Sequence, residues 1–224
     1  MKLPLTLEAM ICEAKVFCEQ ESKKDNATLF GVTDGKAVGT YIEHAFQDFL
    51  SEKYEYLRGS SASGIDLPDA VINTDIKVTS AVQPQSSCPF KNARQKIYGL
   101  GYNLLLFVYE KNDNPEKKTT LLRCVHCSFI EAKRAADYQM TLSLRQLYAN
   151  AANTEEIAAY LHDRNLPLDD TSMNVLAEEI AYNPPEQGYI TISNALQWRL
   201  QYSRVVSLQE TVQGIIPIVG EAAR

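Results

Sequence analysis

Gly64-Ile65-Asp66-Leu67-Pro68-Asp69-Ala70-Val71-Ile72-Asn73-Thr74-Asp75-Ile76-Lys77 sets the reading of the whole chain. Pro68-Asp69 is a turn signal, and it separates the short stretch 65–67 from a run rich in β-branched residues over 71–79. A short strand, a tight turn and a second strand are therefore expected. Side chains two apart on a strand share a face, with their Cα atoms roughly 6 to 7 Å apart. Asp75 and Lys77 then project together, while Ile76 and Val78 turn the other way into a core. A carboxylate and an ammonium fixed side by side suit a hard divalent cation and a water aimed at phosphorus. Asp66, across the turn, supplies a second carboxylate.

Upstream, residues 58–64 read Arg-Gly-Ser-Ser-Ala-Ser-Gly, a small polar linker that lets backbone approach a ligand. Before it, Val38, Ile42, Ala45, Phe46 and Phe49 recur at three- and four-residue spacing, which predicts an amphipathic helix over 38–54 with Glu43 at the edge of its buried stripe. Downstream, a polar lead-in reaches Pro89, a residue suited to a first helical turn. Phe90, Ala93, Ile97 and Leu100 then form one face and Lys91, Gln95 and Tyr98 another, with Gly99 and Gly101 at the C-terminal end. Residues 102–109 are almost all apolar, as in a strand covered on both faces, and a charged loop separates them from a further strand at 120–126.

Beyond Ser128 the texture becomes helical. Ser128 and Glu131 have capping-box spacing, helices are expected over 154–164 and 171–182, and a short strand at 189–192 precedes a last helix from about Asn194. The expected fold is α/β, a mixed central sheet flanked by helices with a largely helical C-terminal half. The chain is read as a single domain over 1–224, with a catalytic core at about 38–127 and a helical elaboration at about 128–224.

Composition narrows the classes. The formal charge of -6 argues against indiscriminate polyanion binding. Its distribution is uneven: no Asp or Glu occurs between Ile76 and Tyr109, while Lys77, Lys91, Arg94 and Lys96 do, so a phosphate-attracting surface can adjoin an anionic pocket. The same residues also fit a helix whose basic side chains are simply solvated. Glu8 interrupts the short N-terminal apolar stretch, and no apolar run approaches bilayer length, so a cytoplasmic protein without membrane association is expected. Five cysteines without framework spacing fit a reducing compartment. Cys124-Val125-His126-Cys127 lacks a second cluster to complete a zinc site, and His44 and His162 read as structural. Neither a phosphate-binding glycine loop nor a dinucleotide fingerprint occurs.

Magnesium takes one or two protein carboxylates and fills its other positions with water and phosphate oxygens. Asp66 and Asp75 suffice as ligands, with the backbone carbonyl of Ile76 as a third, and Lys77 would orient the attacking water and offset charge building on phosphorus. The arrangement Gly64-Ile65-Asp66-Leu67-Pro68-Asp69 followed by Asp75-Ile76-Lys77 resembles the PD-(D/E)xK nuclease superfamily, type II restriction endonucleases above all, over about residues 38–109. The resemblance implies metal-ligand roles for Asp66 and Asp75, the catalytic lysine role for Lys77 and a supporting helix glutamate matched by Glu43. It also implies magnesium, with manganese as a substitute, and 5'-phosphate and 3'-hydroxyl products. The literal Pro-Asp pair is Pro68-Asp69, but Asp69 falls in the turn close to Asp75, so Asp66 is preferred, with Asp69 as the substitute.

Such an enzyme would cut double-stranded DNA at a specific sequence, as a homodimer whose twofold axis mirrors a symmetric site, with a cognate DNA methyltransferase encoded nearby but not stably bound. Ser80, Gln83 and Gln85 belong to an amide- and hydroxyl-rich strip that reads either as a DNA-facing loop or as an ordinary polar one. Lys91, Arg94, Gln95 and Arg199 are further candidates for DNA contact. Two other readings stand beside this one: a repair or junction nuclease of the same fold, and a non-catalytic DNA-binding module.

Overall fold

The computed structural model describes residues 2–59, 64–88, 91–193 and 198–220. In chain order the elements are β1 (Leu3–Pro4), α1 (Leu7–Glu21), β2 (Asp25–Asn26), α2 (Gly35–Lys53), β3 (Tyr54–Glu55), β4 (Thr74–Ser80), β5 (Gln85–Cys88) and α3 (Arg94–Tyr98). They continue with β6 (Asn103–Asn114), β7 (Thr119–Ile130), α4 (Tyr138–Ala149), α5 (Thr154–Asp163), α6 (Asp170–Tyr182), β8 (Thr191–Ile192), β9 (Trp198–Gln201), α7 (Ser203–Val206) and β10 (Ile215–Val219). These divide into one unit of residues 1–86, 102–131 and 205–224 and a second of 87–101 and 132–204.

The first unit is built on a mixed sheet in the order β10-β7-β6-β4, with β2 also pairing β7. β4 lies parallel to β6, Asp75 opposite Leu104 and Lys77 opposite Leu106, whereas β6, β7 and β10 are antiparallel. The run Leu104, Leu105, Leu106, Phe107 and Val108 is buried throughout, as the continuous apolar stretch predicts. Helix α1 starts where the Thr6 hydroxyl accepts the Ala9 N–H at 3.1 Å, and it buries Met10, Ala14, Phe17 and Cys18. Helix α2 is capped by Asp34 and buries Val38, Ile42, Phe46 and Leu50. Phe17, Phe46 and Phe107 meet edge to face, with centroids 5.2 to 5.8 Å apart, each such pair contributing about 0.5–1.5 kcal/mol beyond its area burial. Helix α2 packs on β4 around Gly39, where a Cβ would make ordinary contact with the Val78 Cβ at 3.8 Å.

The second unit packs α3 to α6 around Ile97, Met140, Leu144, Ile157, Leu161, Met173 and Ile180. Asp137 ties it together. One carboxylate oxygen accepts the Met140 N–H at 2.8 Å and so caps α4, while the other accepts the Ile192 N–H at 2.8 Å. Asn153 and Glu156 form a capping box on α5.

The α/β architecture is the one expected, and three local expectations are corrected. Ser128 caps no helix; it lies within β7, opposite Leu106 and Pro217, because strands on both sides claim its backbone. The helix expected from Asn194 is absent among the described residues: 194–197 lie outside them, and β9 follows. There Arg199 and Gln201 are exposed while Leu200 and Tyr202 are buried, a period of two. The helix expected to begin at Pro89 is only Arg94–Tyr98, Pro89 and Phe90 lying outside the described residues, and the Asn92 side chain accepts the Gln95 N–H at 3.2 Å. The C-terminal part thus combines the helices α4 to α6 with strands β8, β9 and β10. Among the described residues no helix is long and apolar enough to cross a membrane.

Candidate active site

Among the described residues, strand β4 is the last strand of its sheet, so one of its edges has no neighbouring strand there. In an extended strand the N–H and C=O of one residue point to the same side. At Thr74 both groups turn away from β6 and exchange 3.0 Å hydrogen bonds with Leu67, an isolated antiparallel bridge where a strand at 65–67 was expected. Two residues on, the Ile76 N–H points to that same free edge and donates to the Asp66 carboxylate at 2.7 Å. The Ile76 carbonyl therefore opens on the Asp66 side.

Asp66 is placed by its own backbone: its carbonyl accepts the Gly59 N–H at 2.7 Å. A Cβ at Gly59 would lie 1.8 Å from the Ile65 carbonyl oxygen, so only glycine fits beside the returning chain. Asp69 is occupied differently. Its carboxylate accepts the Val71 N–H at 3.0 Å and its carbonyl accepts the N–H groups of Ile72 and Asn73. It holds the turn, with Asn73 at φ 37°, and so serves the bend between Leu67 and β4.

Asp75 and Lys77 share a face of β4, as their spacing predicts. The Lys77 ammonium stands 2.6 Å from Asp75 Oδ2. Asp75 is only 4 % exposed, and no well-directed hydrogen bond reaches that oxygen, which leaves it with a charge contact alone. Glu43, half-buried on α2, completes the group through a hydrogen bond with Asp66. Burial first, then the negative charges of Asp66 and Asp75, push the Glu43 carboxyl above the usual carboxylate range, with Lys77 opposing. Burial likewise raises Asp75, against the pull of Lys77 and with Asp66 adding to the rise. Three carboxyl groups crowd around one ammonium, an arrangement that a divalent cation would relieve.

The donors fit such a cation. Among the described residues no group of three or more His, Cys, Asp or Glu side chains closes around a metal by itself. Two carboxylates and a backbone carbonyl, the rest being water and phosphate, suit an ion that binds with few protein ligands. The buried Oδ2 of Asp75 is neutralised by the Lys77 ammonium alone and keeps lone-pair capacity for a metal ion.

Of the residues proposed to contact DNA, Ser80, Gln83 and Gln85 continue the chain from β4 in the first unit, with Gln83 exposed. Lys91, Arg94, Gln95 and Arg199 belong to the second unit. Arg94 is paired with Glu179 and lies 4.6 Å over the Tyr98 ring. Both ends of the Gln95 amide are engaged locally, accepting from Lys91 N at 3.1 Å and donating to Leu100 O at 2.9 Å. Lys91 and Arg199 are exposed. Thr79 directly precedes Ser80 on β4. It is buried, and its hydroxyl is turned inward; the alternation that pairs Asp75 with Lys77 already puts it on their face.

Residues 4–217 match the family described as type II restriction enzyme NspV. Over 214 residues the chain is 52% identical to the type II restriction enzyme NspV of Nostoc sp. (strain ATCC 29411 / PCC 7524), covering 96% of each protein. A second similarity, 28% over 116 residues, is to lysine-specific demethylase 5B of Gallus gallus and spans 48% of this chain but 7% of that protein. No solved structure matches the chain. The chain belongs to the family of type II restriction enzyme NspV.

Proposed function

We propose that this restriction endonuclease hydrolyses double-stranded DNA at the free edge of β4, with Asp66 and Asp75 as ligands of a magnesium ion and Lys77 as the residue that orients the attacking water. The observation that carries the assignment is the convergence of Glu43, Asp66 and Asp75 on Lys77, with Asp75 Oδ2 buried and met by the Lys77 ammonium. A bound divalent cation supplies Lewis acidity at the phosphate and acidifies water. The side chains do the rest. Asp66, locked by the Ile76 N–H, keeps one oxygen fixed at the strand edge. Lys77 holds a positive charge where the pentavalent phosphorus gains negative charge, and it donates to the nucleophile. Glu43, hydrogen-bonded to Asp66, supports that ligand from α2. Manganese substitutes for magnesium, and the carbonyl of Ile76 is the third protein ligand.

The enzyme acts in the cytoplasm as a homodimer on a symmetric site, each protomer cutting one strand, alongside a separately acting methyltransferase. Membership of a restriction-enzyme family weighs against a repair nuclease or a non-catalytic module. The test is digestion of several unmodified DNAs with and without magnesium, beside Asp75→Ala and Lys77→Ala proteins checked for folding. Discrete magnesium-dependent fragments lost in both variants are expected; fragments that persist in either variant would remove these residues from the chemistry.

A further inference from the structure

Asp75, Lys77 and Thr79 succeed one another on one face of β4 at roughly 6 to 7 Å intervals. Thr79 is 6 % exposed, and its hydroxyl reaches Gln85 at the start of β5. It grips the chain that follows. The Gln85 N–H donates to Thr79 Oγ1 at 3.0 Å, and the hydroxyl proton is shared between the carbonyl oxygens of Gln85 at 3.0 Å and Gln83 at 3.2 Å. The turn over 81–84 is tied at two further points: Ala81 N–H to the Tyr109 carbonyl at 2.9 Å, and Val82 N–H to the Ser80 hydroxyl at 3.3 Å. Because Thr79 lies on the face of Asp75 and Lys77, these bonds hold residues 83–85 at that same face of β4.

What this fixed turn presents is unusual for a surface bend. Val82 is 94 % exposed, a β-branched apolar side chain packed against nothing, and Gln83 beside it is exposed as well. Anchoring a turn so firmly while leaving such a pair at its tip suits a ligand that meets both an apolar and a paired donor-acceptor group. A glutamine amide forms two hydrogen bonds with the N6 and N7 edge of adenine, and an apolar side chain packs on the C5 methyl of thymine, both in the major groove. Val82 and Gln83 follow Lys77 by five and six residues, so even extended chain puts them at most about 20 Å away, about six base-pair steps of about 3.4 Å.

We infer that the 81–85 turn reads A·T pairs close to the cut, through Val82 and Gln83, and that Thr79 is a positioning residue whose hydroxyl holds this reader in register with the catalytic strand. The inference rests on the assignment of Asp75 and Lys77 to the chemistry. It assigns Thr79 no contact with the reacting atoms.

The experiment uses the full-length protein and duplex oligonucleotides carrying its cleavage site, each A·T or G·C pair replaced in turn, plus duplexes with uracil in place of thymine. Single-turnover rates give, for each variant, a ratio of intact to altered site. Thr79→Val is expected to lower that ratio about tenfold or more at one or more A·T positions and to leave it at G·C positions, with Thr79→Ser restoring it. Val82→Ala, at an exposed position that cannot disturb the fold, is expected to erase the wild-type penalty for uracil. Thr79→Val that slows all duplexes equally, an unchanged ratio, a site without A·T pairs, or a uracil penalty kept by Val82→Ala would each overturn the inference. The ratio is taken within one variant, so it does not depend on which residues hydrolyse the bond; that assignment fails separately, if Lys77→Ala still cuts.

Discussion

Replacing Gly59 by alanine tests the link between linker and active site most directly. The added Cβ would lie 1.8 Å from the Ile65 carbonyl oxygen, 2.9 Å from its carbon and 3.1 Å from the Asp66 Cα. Restoring ordinary contact at 3.4 Å requires a displacement of about 1.6 Å, against backbone atoms that have no flexible end to swing aside. That movement also stretches the 2.7 Å bond from Gly59 N–H to the Asp66 carbonyl and pulls the Asp66 carboxylate from the Ile76 N–H. A misplacement of about 1 Å in a catalytic constellation is worth on the order of a hundredfold in rate, so Gly59→Ala is expected to cut at least about a hundredfold more slowly in single-turnover assays at saturating magnesium. The sheet and α2 do not depend on this contact, so circular dichroism and the cooperative melt should persist. Gly35→Ala is the control: at the first position of α2 the nearest atom is the Tyr109 hydroxyl at 4.0 Å, and alanine there favours the helix. Cleavage by Gly59→Ala within threefold of the parent would refute the claim that this glycine sets the position of Asp66.

The raised Asp75 and Glu43 carboxyls mean that, without metal, the folded state binds more protons than the unfolded one once pH climbs above about 4. Stability is then present at low pH and lost as pH rises through the elevated folded values, so the melting temperature in chelator should fall by several degrees between pH 5 and pH 8, and Asp75→Asn should flatten that dependence; a melting temperature that rises over this range would contradict the assigned direction. Asp137→Ala leaves the N–H groups of Met140 and Ile192 without their acceptor, at roughly 1–3 kcal/mol each, and should lower the melting temperature by about 4 °C or more, as calorimetry would show. Cys12 is exposed, whereas Cys18, Cys88 and Cys127 are buried, and half-buried Cys124 is engaged by Cys18, which with burial holds its thiol well above the usual range. A colourimetric disulfide reagent should therefore titrate one thiol quickly in the native protein, and Cys12→Ser should abolish that phase; two fast thiols would contradict the packing of α1 on β7.

Legibility followed the range of the forces involved. The shared face of Asp75 and Lys77 is a period-two property of one strand, and it could be read from spacing alone. The helix carrying Glu43 was legible for the same reason, since Val38, Ile42, Phe46 and Leu50 make its buried stripe. Asp66 was singled out, but its anchoring to the Ile76 N–H depends on β4 being the sheet's last strand, a fact of topology. Ser128 misled because capping spacing is local, whereas its backbone is claimed by β6 and β10 from far along the chain. Helix α1 and strand β10 had local signals that went unread: Thr6 ahead of Met10, Ala14, Phe17 and Cys18, and the run Ile215-Ile216-Pro217-Ile218-Val219. Thr79 was invisible as a clamp because a threonine's type does not say whether its hydroxyl faces out or back onto its own chain.

The position of β4 at the margin of its sheet has a bearing on how the protein behaves in the cell. An uncovered strand edge is a row of unpaired amide groups, a template on which other chains can stack. Here the first part of that row is taken, Thr74 by the Leu67 bridge and the Ile76 N–H by the Asp66 carboxylate. The segment that brings a catalytic carboxylate is therefore also the guard of the strand edge, and lesions around Asp66 should select for loss of colloidal stability as well as of cutting. For a nuclease that is dangerous when misregulated, inactivation and removal by self-association would then arise from the same few contacts.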